Sequence, residues 1–343
     1  MKIELNTDFA VPIWRFFYSS PYKIPCPFEL QHKKYKNLIC IIQIGCFVDE
    51  NTLKYTSYMH EKEINLYYGS NHIICIPNME IYNIFKKYRP TLNLCLANHN
   101  AFIDETFYNI DNSQKIFYDL FVSSQFLNCK NLNLLENIDN VCGMGYYPCS
   151  EKEPCCVPFP SSVKKVLNFK NGVERVQKNW EWVDPVESIK TINSSKIGGI
   201  FSTSEGACFS SSEYLLCGIP VLSCKCKGGR EIWYDNKNSE LCDPNNSSIR
   251  ETLKKMLIKY DNGKYNRESI RNNHIKKMKI HRNNLSNAVL NIMKKIISPD
   301  ILPSLEELTE SLKHYHSNNR GYGYTPSYKR QYEREKLAIK VLK

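Results

Sequence analysis

The sequence predicts an α/β protein built from two doubly wound halves. Three observations lead there. The chain has 343 residues, more than one hydrophobic core usually covers, so two domains of roughly 150 residues are expected. Short apolar runs rich in β-branched residues alternate with helical patterns, the signature of βαβ units and a parallel sheet. The alternation breaks between Val141 and Pro160, where Gly143, Gly145, Pro148, Pro154, Pro158 and Pro160 cluster, and a linker is expected there.

The elements follow in order. Leu38 to Phe47 (LICIIQIGCF) and His72 to Ile76 (HIICI, stopped by Pro77-Asn78) read as buried strands. Met79 to Tyr88 fits a helix. Leu92 to Ala97 reads as a third strand, ending in Asn98-His99-Asn100, and Lys115 to Ser123 as a fourth. Beyond the break, Ile197 to Phe201 and Val221 to Cys224 read as strands. Ser248-Ile249-Arg250-Glu251 has capping-box spacing and opens a helix, with Ile249, Leu253, Met256, Leu257 and Tyr260 on one apolar face. A long helical pattern runs from about Arg267 to Ile296, and Ser304 opens another helix. The expected domains are therefore residues 1–150, residues 151–300, and a helical tail over 301–343 that returns to the N-terminal domain. Tyr332, Leu337, Ile339 and Leu342 supply that tail's apolar contacts.

Composition narrows the function. Apolar residues make up 42% and charged residues 24%, ordinary for a globular protein. No run approaches the ~20 apolar residues of a membrane span. The start, Met1 to Asn6, has an acidic residue and no apolar core of a signal peptide. The 15 cysteines are odd in number and scattered through apolar runs, so reduced thiols and a cytoplasmic location are expected. Cys149, Cys155 and Cys156 cluster, and Cys224 lies close to Cys226. No pair of C-x2-C knuckles accompanies them, so no metal is expected. The net charge of +11 reads either as solvated helix faces or as attraction to an anionic partner. Nucleic acid is not expected, because no recognition motif accompanies the charge. The basic tail suits weak peripheral contact with a membrane.

The stretch "STSEGACFSSSEYLLCGIPVLSCKCKGGREIWYD", from Ser202 to Asp235, carries the chemistry. Glu205 and Glu213 are separated by seven residues. They flank a serine-rich turn between a strand and a helix. Two bland readings stand beside the functional one: Ser210 with Glu213 has capping-box spacing, and Glu205 reads as a solvated loop residue. Gly218 ends the short helix and Pro220 prevents its continuation. The functional reading notes that a strand end followed by a helix start suits a diphosphate. Carboxylates there accept bonds from sugar hydroxyls.

With these features, Gly198 to Pro244 resembles the donor-binding core of retaining GT-B glycosyltransferases. A second block, "ANHNAFIDETFYNI" from Ala97 with "KIFYDLFVSSQF" and "NIDNVCGMGYY", is similar to a subset of them. The resemblance implies two Rossmann-like domains facing across a cleft, the first on the acceptor side and the second binding a nucleotide-sugar donor. It implies transfer of a sugar from a nucleotide diphosphate, with retention and without a metal or other cofactor. A UDP-sugar is expected over a GDP-sugar, and a glycan, protein or lipid-linked molecule as acceptor. By the same resemblance Glu213 binds the donor ribose, and Glu205 and His99 face the transferred sugar. Backbone amides of Ala207, Cys208, Phe209 and Ser210 hold the diphosphate or the sugar. The family's Arg and Lys clamp on the leaving diphosphate has no clear counterpart after residue 150. Lys170, Arg175, Lys178 and Arg230 are the candidates. Asp104 and Glu105 are either acceptor-facing or stabilise a helix start. A nucleotide-sugar epimerase on the same fold, and a GT-B shell that binds without turnover, are the rival readings.

Overall fold

In a computed structural model, the structure describes residues 14–19, 39–44, 50–54, 57–58, 61, 71–146, 156–169, 181–183, 185–206, 208–296 and 298–313. These residues form two compact units. Unit 1 comprises the described residues up to Phe102 and from Met278 onward, and unit 2 runs from Ile103 to Lys277.

Unit 1 holds a parallel sheet of β1 (Trp14–Ser19), β2 (Ile39–Ile44), β3 (His72–Ile76) and β4 (Leu94–Leu96), hydrogen-bonded in that order. Helix α1 (Met79–Tyr88) starts where Asn78 caps it, accepting the Ile81 N–H at 2.9 Å. It buries Ile81 and Phe85 against Ile42, Ile44, Ile74 and Ile76. The alternating apolar positions of β2 and β3 thus face one helix stripe, which is why both runs are isoleucine-rich.

Unit 2 is a seven-stranded sheet, every pair parallel, in the order β11-β10-β9-β5-β6-β7-β8. Its strands are β5 (Tyr118–Gln125), β6 (Val141–Tyr146), β7 (Lys165–Phe169), β8 (Glu181–Val183), β9 (Ser195–Ile200), β10 (Val221–Cys224) and β11 (Ser239–Cys242). Its helices are α2 (Pro185–Asn193), α3 (Phe209–Leu216), α4 (Asn246–Asp261) and the first part of α5 (Arg267–Met293). Helix α4 seats Ile249, Leu253 and Met256 on a core with Leu120, Ile197 and Leu222. Helix α5 continues into unit 1, which also holds α6 (Leu305–Leu312).

Strands β5 and β6, residues 118–146, belong to the same sheet as β9 to β11. The division therefore falls at residue 102 and not near 150. The glycines read as a linker lie inside β6 because neighbours press against it. A Cβ on Gly143 would sit 2.7 Å from the Phe159 ring, and one on Gly145 would sit 2.1 Å from the Ser124 carbonyl. Glycine here marks close packing within a strand.

Helix α4 begins one turn earlier than expected. Asn245 is its cap, accepting the Ser248 N–H at 2.9 Å. Glu251 instead pairs with Lys255 at 2.7 Å. Among the described residues, no helix is long and apolar enough to cross a membrane. Ten described cysteines are free thiols. The expected apolar residues of the tail, Tyr332 to Leu342, lie outside the described residues.

Candidate functional site

The strand order of unit 2 creates a crevice. The chain leaves β5 towards β6, β7 and β8, then returns to β5's other side for β9, β10 and β11. At such a switch point the loops beyond the carboxyl ends of the two central strands part, and a ligand fits between them. Here those loops follow β5 (residues 126–131) and β9 (residues 201–208), with the loop after β10 alongside.

The loops after β9 and β10 prolong the sheet. Ser204 bridges Lys227 in parallel. The Glu205 N–H donates to the Lys227 carbonyl at 2.9 Å, and the Lys227 N–H to the Thr203 carbonyl at 3.0 Å. Gly228 and Gly229 then turn the chain with φ of 124° and 118°, conformations that a side chain would strain. Glu231 closes the turn by accepting the Cys226 N–H at 2.5 Å. The result points Arg230 inward. Its guanidinium is fully buried. Nη1 donates to Ser202 Oγ at 2.6 Å and to Glu205 Oε2 at 3.0 Å. Nη2 donates to the Ser202 and Cys224 carbonyls at 3.0 and 2.8 Å and to Ser223 Oγ at 2.9 Å.

Glu205 is thus no solvated loop residue. Its side chain is 13% exposed. It accepts from Arg230, from the Ser202 hydroxyl and from the Lys130 ammonium. Lys130 comes from the turn Asn128–Lys130 that follows β5, so the carboxylate and the ammonium meet across the switch point. Burial alone would push the Glu205 carboxyl up, but the two cations beside it hold it at about 2. Burial pulls Lys130 down, and Glu205 more than offsets that, leaving its pKa raised. Both groups stay charged at neutral pH.

Helix α3 begins at the same crevice. Cys208 is its N-cap, with no side-chain cap bond, so the expected capping box is absent. Ser210 instead donates to the Ser123 carbonyl at 3.0 Å, and Ser211 to Tyr234 Oη at 2.8 Å. Tyr214 Oη accepts the Ser123 N–H at 2.7 Å. These bonds pin α3 over the end of β5. Gly198 makes room for it, since a Cβ there would lie 2.2 Å from the Tyr214 ring. Gly218 follows the helix with φ of 73°. Glu213 points inward, fully buried, and accepts the Tyr108 hydroxyl at 3.0 Å. Burial holds the Cys208 thiol at about 12, so it is a neutral packing group and no nucleophile.

Glu205, Glu213, Cys208, Phe209, Ser210 and Arg230 all lie in unit 2, and Glu205 and Arg230 are in direct contact. Arg230 is a correction to the expected clamp. Its enclosed guanidinium holds Glu205 and two carbonyls and is not presented to a ligand. His99 belongs to unit 1, buried in the turn His99–Phe102 that follows β4. Asp104 folds back on its own chain, accepting the Thr106 N–H at 3.0 Å and hydroxyl at 2.7 Å. Ala207, Lys170, Arg175 and Lys178 lie outside the described residues. Lys130 is the residue that sequence reasoning missed. Its signal was a lysine in the first turn after a strand, hidden because that strand was assigned to the other domain. Among the described residues, no group of three His, Cys, Asp or Glu side chains is placed to hold a metal ion.

No protein-family model matches the sequence, and no curated protein matches it. Solved structures do. The structure of TarM matches over 81% of this chain and 54% of its own, with 15% identity and a TM-score of 0.55. Anabaena HepE, solved in complex with UDP-glucose, matches over 82% of this chain and 78% of its own, with 11% identity and a TM-score of 0.52. The fold is GT-B. At these identities the likeness is one of fold, and the chain spans about half the length of TarM.

Proposed function

We propose that unit 2 binds a nucleoside-diphosphate sugar, a UDP-sugar in the first instance, and that the chain transfers its sugar to an acceptor with retention and without a metal. The observation that carries this reading is the Lys130–Glu205 pair at the switch point. The resemblance calls for an Arg and a Lys at the opening of the C-terminal half. That half opens with β5, and Lys130 stands in the first turn after it. No arginine lies between Tyr118 and Asn131, so the clamp here is the lysine with the N–H groups at the start of α3. That HepE was solved with UDP-glucose on the same fold supports the donor class.

Each group then has a chemical task. Lys130, with its pKa raised, acts as a fixed positive charge beside the leaving diphosphate and not as an acid. One such preorganised donor is worth about 3 kcal/mol in a transition state, roughly a hundredfold in rate. Glu205, held at about 2, is an acceptor for sugar hydroxyls and carries no proton to give. Arg230 sets its orientation from behind. The leaving diphosphate takes the acceptor's proton in a front-face displacement, so retention needs no carboxylate nucleophile. Glu213 is the ribose ligand, and His99 keeps the role that the resemblance implies for it, facing the transferred sugar.

A panel of nucleotide sugars screened by thermal denaturation tests this reading. A donor at 100 times its dissociation constant adds roughly 2.7 kcal/mol of stability. The expected result is stabilisation by one UDP-sugar and by UDP, followed by acceptor-dependent turnover whose product keeps the anomeric configuration by NMR. Turnover without an acceptor would instead mark an epimerase. A panel in which no nucleotide sugar and no nucleoside diphosphate shifts the melting curve would overturn the reading.

A further inference from the structure

We infer that Cys224 and Cys242 form a peroxide-responsive dithiol, which hydrogen peroxide closes to a disulfide at the edge of the unit 2 sheet. The two residues are register partners on the parallel strands β10 and β11, so their side chains leave the sheet on the same face. Their sulfurs are 3.8 Å apart. Neighbouring strands lie about 4.8 Å apart, within the Cα separation that a disulfide spans. Cys224 is fully buried and Cys242 is 3% exposed. The pair nevertheless stands at the rim of the core. β11 is the edge strand, and Cys242 lies between the exposed Leu241 and Asp243. Each thiol also has a carbonyl to donate to, that of Ser223 at 3.5 Å for Cys242 and that of Asp243 at 3.9 Å for Cys224. The Cys224 carbonyl accepts from Arg230 at 2.8 Å, so the bond forms in the strand end that seats the arginine behind Glu205.

The hydrogen bond from the Cys224 thiol, helped by Arg230 and Lys225, holds Cys242 below the ordinary thiol value, against burial and Asp243. Cys242 is therefore the attacking thiolate. It attacks one peroxide oxygen. An S–O bond forms, the O–O bond breaks, and the hydroxide released takes up the proton that Cys242 gave, leaving as water. The Cys224 sulfur then attacks the sulfenic sulfur. The S–S bond forms, the S–O bond breaks, and the second hydroxide leaves as water with the Cys224 proton. The two sulfurs are oxidised by two electrons and one hydrogen peroxide is reduced to two waters. Unit 1 supplies a comparison, because Cys75 and Cys95 are also register partners, on β3 and β4. There burial pushes both thiols up, Cys95 to about 12, so neither is activated.

The test treats the reduced, folded protein with hydrogen peroxide, blocks the remaining thiols by alkylation and maps tryptic peptides by mass spectrometry. Trypsin cuts after Lys225 and Lys237, which places Cys224 and Cys242 in separate peptides and removes Cys226 from both. The expected result is the peptides 197–225 and 238–250 joined through Cys224, with the loss of two free thiols and full recovery by dithiothreitol. Cys75 and Cys95 stay open to alkylation once the protein is unfolded. In Cys224→Ser the joined peptides vanish, and Cys242 is trapped as a sulfenic acid by dimedone. The wild-type map decides the matter even where that variant does not fold. Three results would overturn the inference: peptides 197–225 and 238–250 that remain separate, a link through Cys208 or Cys217 instead, or closure no faster than that of Cys75 with Cys95.

Discussion

Glu205→Gln removes one negative charge from between Lys130 and Arg230 and leaves the shape of the site unchanged. The carboxyl sits at about 2 in the folded protein against an ordinary 4.5, a difference of about 2.5 units. At 1.36 kcal/mol per unit that is about 3 kcal/mol of stability at pH 7. The side chain is only 13% exposed, so solvent screens little of it. The folded pKa lies below the unfolded one. The stabilisation is therefore complete well above pH 4.5 and is lost as the pH falls towards 2. The gap between wild type and Glu205→Gln should thus be about 3 kcal/mol at pH 7, fall to roughly half of that at pH 3 and almost vanish near pH 2. Urea unfolding at a series of pH values measures it, with salt held constant. A gap that stays level from pH 7 to pH 3 would mean that the ion pairs do not hold the carboxylate, and the electrostatic account of the site would fail.

Other outcomes follow from the same geometry. Gly198→Ala drives a Cβ to 2.2 Å from the Tyr214 ring and should cost at least about 1–3 kcal/mol, read as a lower urea midpoint. Ser304→Ala breaks a capping box in which Ser304 accepts the Glu307 N–H and Glu307 accepts the Ser304 N–H, at a cost of about 1 kcal/mol. Asn245→Ala should cost about the same, because Asn245 is the cap of α4. Glu251→Ala, in an exposed pair with Lys255, should cost no more than about 0.5 kcal/mol.

What the sequence shows and hides is clearest in the capping pattern. Ser-x-x-Glu stands at the start of a helical pattern at Ser210, Ser248 and Ser304. Only Ser304, on the surface, forms the box. Ser248 yields to Asn245, a residue that also caps well and lies three positions earlier. Ser210 and Glu213 are buried, and each finds a tertiary partner, Ser123 and Tyr108. Local spacing decides the outcome where nothing else competes, and tertiary contacts override it inside. Strands His72–Ile76 and Val221–Cys224 and helix Met79–Tyr88 were legible to the residue because apolar runs ended at clear turn signals. β6 was not, since Gly143 and Gly145 carry no apolar signal, and their reason for being glycine lies in Phe159, Phe126 and Ser124 across the fold. That one misreading moved the domain boundary and hid Lys130. The Glu205 region was legible as a site, but its internal ion pairs were not, because Lys130 is 75 residues away in sequence.

The claim that a diphosphate is held at the β5–β9 switch point is tested most directly by titrating wild type and Lys130→Met with UDP in a calorimeter. The account predicts saturable 1:1 binding to wild type. It predicts at least a tenfold loss of affinity in Lys130→Met, about 1.4 kcal/mol, with the protein still folded by circular dichroism. Equal affinity for UDP in a folded Lys130→Met would contradict it.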